Sequence, residues 1–157
     1  HEVNQRQRDL FWSKIADELG EDLSGKTLAF WGVAFKPRTD DIREAPSVAL
    51  MKRALAAGAS VRAFDPVALE NLAGDLPEAT RVEDMYEVLD GADALVVCTE
   101  WNEFRTPDFS EMSRRLKAPM VFDGRNLYRR QAMADLGFVY LSVGRPAVRP
   151  ASAGAPA

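Results

Sequence analysis

Apolar residues fall into two kinds of stretch along this chain. Between residues 2 and 19, Val3, Leu10, Phe11, Ile15 and Leu19 recur near helical spacing among charged neighbours and Gly20 follows as a stop, which predicts an amphipathic helix. Elsewhere the apolar positions run consecutively. TLAFWGVAF at 27–35, ADALVVCT at 92–99 and APMVFD at 118–123 have the length and the branched or aromatic content of strands buried on both faces. SVRAF at 60–64, closing on Asp65-Pro66, and FVYLSV at 138–143 add two more strands. A helix opening at Pro46, with Val48, Met51 and Leu55 on its apolar face and Gly58 at its end, joins the first two strands. Short helices are predicted over 83–90 and near 108–116 and 128–136.

Strands that are apolar on both faces and alternate with helices indicate a parallel sheet, because each crossover lays a helix on one face or the other. The predicted fold is therefore α/β: a doubly wound, Rossmann-like parallel sheet with helices on both faces, preceded by the amphipathic helix. In such sheets ligands bind beyond the carboxyl ends of the strands. Three segments fall there: the charged loop within WGVAFKPRTDDIREAP at 31–46, CTEWNEF at 98–104 and DGRN at 123–126. The Pro- and Ala-rich RPAVRPASAGAPA at 145–157 has little to bury and is expected to be disordered, or ordered only by a neighbour.

Composition narrows the class of ligand. Twenty basic against 24 acidic residues give a net charge of −4, which argues against duplex nucleic acid as a partner. A small anion remains open, since a few local Lys or Arg residues suffice. One cysteine, Cys98, rules out an internal disulfide and fits a reducing, cytoplasmic compartment, and no apolar run is long enough to span a membrane. A chain that opens on histidine in mid-helix is expected to be a piece of a longer protein.

Lys36 follows the first buried strand, with Arg38 and Arg43 nearby and a helix N-terminus ahead. The spacing of an intact dinucleotide or triphosphate loop is absent. Residue types leave two readings: a salt-bridged solvated loop, in which Asp40 and Asp41 neutralise the cations, or a phosphate site. Arg125 follows Asp123-Gly124 after another buried strand and could fork onto a phosphate or carboxylate, or pair with its own Asp123 or with the tail. If the fold holds, Lys36 and Arg125 share one edge of the sheet. Cys98 ends a buried strand with no base in sight, and reads as a small buried residue rather than a nucleophile. No spacing of His, Cys and carboxylates predicts a metal site.

GVAFKPRTDDIREAP at 32–46, FDP at 64–66, CTEWNEF at 98–104 and FDGRNLY at 122–128, in this order, resemble the carboxy-terminal domain of the UDP-glucose/GDP-mannose dehydrogenase family, and as a set lean towards its UDP-glucose 6-dehydrogenase group. VNQRQRDLFWSKI at 3–15 is similar to the end of the helix that joins that family's two domains. The resemblance implies that residues 1–20 end the inter-domain helix, 21–144 form the UDP-sugar-binding domain and 145–157 a tail. It implies that Lys36 and Arg125 hold the nucleotide sugar, that Phe35 lines the substrate site and that Arg43 reaches the NAD cofactor. The whole enzyme would oxidise the C6 alcohol of a UDP-sugar to a carboxylate by two hydride transfers to NAD, through a thiohemiacetal and a thioester on a cysteine. The cysteine segment and the amino-terminal dinucleotide-binding domain would precede the joining helix, so this chain alone would hold no catalytic residue and would not turn over substrate. A homodimer is implied as well. Arg129-Arg130 depart from the pattern, since many relatives carry an aspartate and often a proline there.

Other readings stay open on the sequence. GDP-mannose and UDP-N-acetyl-mannosamine dehydrogenases share the architecture. Outside enzymes, a signalling receiver domain would use Asp40, Asp41 and Thr99, although the aspartates come late in the loop and Asp-Gly-Arg stands where a lysine is needed. A nucleotide-binding or dimerisation module in its own right is the third possibility.

Overall fold

The computed structural model describes residues 2–34, 36–42 and 45–150, with residues 2–4 described by backbone alone. Six strands form one sheet: β1 (Thr27–Trp31), β2 (Ser60–Phe64), β3 (Thr80–Arg81), β4 (Ala94–Val97), β5 (Met120–Asp123) and β6 (Val139–Ser142). Every pairing is parallel and the spatial order is β3-β2-β1-β4-β5-β6. This is the order of doubly wound dinucleotide-binding sheets, distinct from the 2-1-3-4-5 order of receiver domains. The helices are α1 (Glu2–Leu19), α2 (Pro46–Ala56), α3 (Leu69–Asp75), α4 (Asn102–Arg105), α5 (Phe109–Arg115) and α6 (Arg130–Asp135).

Successive side chains of a strand point to opposite faces, so each buried strand feeds two cores. Along β1, Leu28 and Phe30 join Phe11 and Ile15 of α1, Met51 of α2 and Phe122 of β5 on one side. Ala29 and Trp31 join Leu89, Phe104, Met112 and Tyr140 on the other. Phe30 and Trp31 are both fully buried, each worth about 1.5 to 3 kcal/mol or somewhat more for the larger indole. The Trp31 indole N–H is satisfied by the Met85 carbonyl at 2.8 Å, and its ring stacks on Phe104 at 5.0 Å. Phe104 is thus a core residue.

Several segments differ from their sequence-based expectation for local reasons. Leu10, placed on the apolar stripe of α1, is 58% exposed; the inward side is carried by Phe11 and Ile15, flanked by the partly buried Trp12 and Leu19. The helix expected over 83–90 is a 3-10 turn at Glu87–Leu89, entered through Asp84, whose carboxylate accepts from the Tyr86 and Glu87 amides at 2.8 and 2.9 Å. β3 escaped notice because both its residues are exposed.

Residues 145–150 run as a strap against β6 and α1. β6 is an edge strand with open backbone groups. Tyr140 and Val148 exchange two backbone hydrogen bonds of 3.0 Å in an antiparallel bridge, and Arg149 grips Glu18 of α1 through two bonds of 2.9 and 2.7 Å. The strap gains its order from that edge and from α1, so its own composition could not announce it. Residues 151–157 lie outside the described residues.

Candidate functional site

The direction of strand addition reverses between β1 and β4, so the loops after these strands diverge and leave a crevice above the sheet. The loop after β1 is locked into place from three sides. Gly32 has φ +95, and a Cβ there would lie 2.3 Å from the Thr99 hydroxyl and 2.8 Å from the Thr99 nitrogen, so only glycine fits between β1 and the end of β4. The buried Thr99 hydroxyl donates to the Ala34 carbonyl at 2.7 Å, and the Ser47 hydroxyl at the start of α2 donates to the Val33 carbonyl at 2.5 Å.

Asp65, at the end of β2 and only 3% exposed, completes the lock. Its Oδ2 accepts from the amides of Val33 and Ala34 at 2.8 and 3.2 Å, and its Oδ1 from those of Val67 and Ala68 at 2.9 and 2.8 Å. In a dinucleotide-binding turn the amides after the first strand face a pyrophosphate. Here a carboxylate of the chain itself occupies two of them. The side chains that this loop sends to the cleft are those of Lys36 and Arg38, further along. The sequence shows Asp65 as a strand-ending acid before proline, and an acid at the end of a buried strand was the available signal for its role.

A second buried acid builds the turn after β5. Asp123 is fully buried; Oδ1 accepts from the Arg125 amide at 2.8 Å, and Oδ2 accepts from the Leu127 amide at 2.7 Å and the Tyr140 hydroxyl at 2.6 Å. The alternative pairing of Arg125 with Asp123 is therefore real at the backbone only. The Arg125 guanidinium instead reaches across to Glu100 after β4, at 2.8 Å, with Arg105 on the other Glu100 oxygen at 3.9 Å. Asn126 sits at φ +55 and its amide pairs both ways with the Val143 backbone, at 3.0 and 2.8 Å, which tethers the turn to the end of β6.

These loops enclose a cleft of about 700 Å³. Lys36, Arg38 and Arg125 contribute three cations, Glu100 and Glu103 two carboxylates, and Trp101 an apolar wall. Desolvation, and secondarily the charge of Asp65, holds the Glu103 carboxyl above its ordinary value. Lys36 and Arg125 are thus brought to one cleft. Phe35 and Arg43 lie outside the described residues. Asp40 is tied through its backbone carbonyl to the Asn71 amide at 2.6 Å. Cys98 lies at the foot of the same loops; burial, and then the charge of Asp123, pushes its thiol up to about 12, so it is protonated at neutral pH.

A parallel sheet of this order with a cationic cleft at its reversal point defines a nucleotide-binding α/β domain. Residues 29–130 match the sequence family described as "UDP-glucose/GDP-mannose dehydrogenase family, UDP binding domain", and the chain belongs to that family. It is 45% identical over 149 residues to the UDP-glucose 6-dehydrogenase of Pseudomonas aeruginosa, covering 91% of this chain and 33% of that protein. It is 38% identical over 152 residues to the UDP-glucose 6-dehydrogenase YwqF of Bacillus subtilis, covering 96% and 34%. A solved UDP-glucose dehydrogenase from Pyrobaculum islandicum superimposes with a TM-score of 0.73 at 28% identity, covering 91% of this chain and 30% of that one. The chain spans about a third of the length of these relatives.

Proposed function

We propose that this chain is the nucleotide-sugar-binding part of an NAD-dependent UDP-glucose 6-dehydrogenase, which oxidises UDP-glucose to UDP-glucuronate. The observation that carries the proposal is the convergence of Lys36 and Arg125, from loops after two different strands, on one cleft at the reversal point of the sheet. A diphosphate brings two or more negative charges, and a point-charge lysine with a planar, forked arginine suits it. Arg125 is now engaged by Glu100, which the incoming phosphate would replace as its partner. Phe35 is assigned to the substrate wall and Arg43 to the NAD side by their places in the matched motif. An amino-terminal dinucleotide-binding domain of the same protein supplies NAD and the nucleophile, consistent with the third of the relatives' length that this chain spans. The resemblance supports a homodimer in the same way. The protonated state of Cys98 fits its exclusion from the covalent chemistry.

The test is NADH formation by the full-length protein from UDP-glucose, with UDP-N-acetyl-mannosamine and GDP-mannose as competitors for the assignment. Lys36→Ala and Arg125→Ala should each weaken UDP-sugar binding by about 1.5 to 3 kcal/mol while the fold is kept. Unchanged affinity in both variants would overturn the assignment.

A further inference from the structure

The family match ends at residue 130, yet the turn that carries Arg125 is supported by residues beyond it. Asp123 is a fully buried carboxylate. Its side-chain partner is Tyr140 of β6, also fully buried, whose hydroxyl donates at 2.6 Å. Arg145, in the strap after β6, in turn donates from Nη2 to the Tyr140 hydroxyl at 3.0 Å and from Nε to the Ser142 hydroxyl at 2.9 Å. Its guanidinium carbon lies 5.7 Å from the centre of the Tyr140 ring. The Tyr128 amide approaches the same hydroxyl at 3.3 Å. A line of donors thus runs from a cation at the protein surface through a phenol to the buried acid that holds the Arg125 amide.

We propose that Tyr140 and Arg145 are positioning residues for the nucleotide site: the guanidinium orients the Tyr140 hydroxyl, which fixes Asp123, which holds the Arg125 turn facing the cleft. The reasoning is electrostatic as well as geometric. A buried carboxylate is tolerated only when its lone pairs are filled. Oδ2 has two donors, the Leu127 amide and Tyr140, so removing the phenol leaves that oxygen underfilled and lets the turn relax towards other donors. Arg145 supplies positive charge to a network that otherwise ends on an anion. Arg145, within a segment that composition marked as having little to bury, is on this view a positioning residue, whereas Arg149 of the same segment bonds to Glu18 of α1.

This inference rests on the assignment of Arg125 to the nucleotide sugar. The experiment measures UDP affinity by titration calorimetry, with thermal stability in parallel, for full-length Tyr140→Phe, Arg145→Ala and Arg125→Ala, and for each positioning change combined with Arg125→Ala. Arg149→Ala, which removes the other strap arginine, is the control. Tyr140→Phe and Arg145→Ala should each lower UDP affinity about threefold to tenfold. Neither should lower it further once Arg125 is alanine, because both act through that residue. Arg149→Ala should leave affinity unchanged. A loss of stability with unchanged affinity, or a loss of affinity that adds fully to that of Arg125→Ala, would overturn the inference while leaving the proposed function intact. If Arg125→Ala itself leaves UDP affinity unchanged, the proposed function fails and the inference with it. Tyr140→Phe keeps the ring and Arg145 is only part-buried, so a folding failure in one leaves the other informative.

Discussion

Replacing Asp65 by asparagine tests whether one carboxylate holds the loop that carries Lys36. The change keeps shape and volume but turns one acceptor oxygen into an NH2 group. Whichever way the amide settles, two backbone N–H groups now face a donor. The less costly orientation spares Val33 and Ala34, which are buried, and sacrifices Val67 and Ala68. Val67 is 50% exposed and water can serve its amide, whereas Ala68 is fully buried and its amide cannot be rescued. One unsatisfied buried amide costs about 1 to 3 kcal/mol, and the weaker neutral acceptor left on the other side adds to it, giving about 2 to 3 kcal/mol in all. For a domain of this size that is a fall in melting temperature of roughly 4 to 12 °C by circular dichroism. UDP affinity should fall as well, since the loop bearing Lys36 loses part of its anchor. A variant within about 0.5 kcal/mol of the parent, with unchanged UDP affinity, would refute the reasoning.

Gly32→Ala should abolish soluble folded protein, and adding Thr99→Ala should not restore it, because the Thr99 backbone nitrogen, 2.8 Å from the new Cβ, stays in place; solubility and circular dichroism of both variants decide this. Cys98, with its thiol raised to about 12, should react with iodoacetamide roughly a thousandfold more slowly in the native than in the unfolded state at mildly alkaline pH, and Cys98→Ala should leave NADH formation within about twofold. Hydrogen bonds from Arg149 are the first cause holding the Glu18 carboxyl below its ordinary value. The stability from this pair is therefore complete above the ordinary carboxylate pKa and lost as pH falls through the lower, folded value. It amounts to less than about 1 kcal/mol, and acid-side melting curves of Arg149→Ala should lack that component.

The strands that build the core could be read from the chain with little ambiguity. TLAFW, ALVV and MVFD are apolar at every position but the terminal Thr27 and Asp123, and a strand with no polar face has to be covered on both sides. Pro46 and Gly58 marked the ends of α2 for reasons of backbone geometry that need no partner. Lys36 and Arg125 could be named because each follows such a strand, and a parallel sheet gathers those ends on one edge.

Other features were settled only by contacts between distant residues. The sequence offered Arg125 either Asp123 or a ligand, and the fold divided the answer: Asp123 takes the amide, and Glu100, from another loop, takes the guanidinium. Asp65 could be seen to end a strand, but the two amides it fills on the β1 loop lie some thirty residues earlier in the chain. The strap from 145 to 150 has almost no apolar pattern of its own, and its order comes from an edge strand and a helix that its composition does not describe. The physical division is between short-range and long-range terms. Apolar pattern and backbone preference act over a few residues and are written locally, so the sequence determined the buried strands and the helix α2 that joins the first two. Partner choice for buried acids and exposed edges depends on which groups the chain brings together, so only the tertiary structure decided how the cleft is built and held.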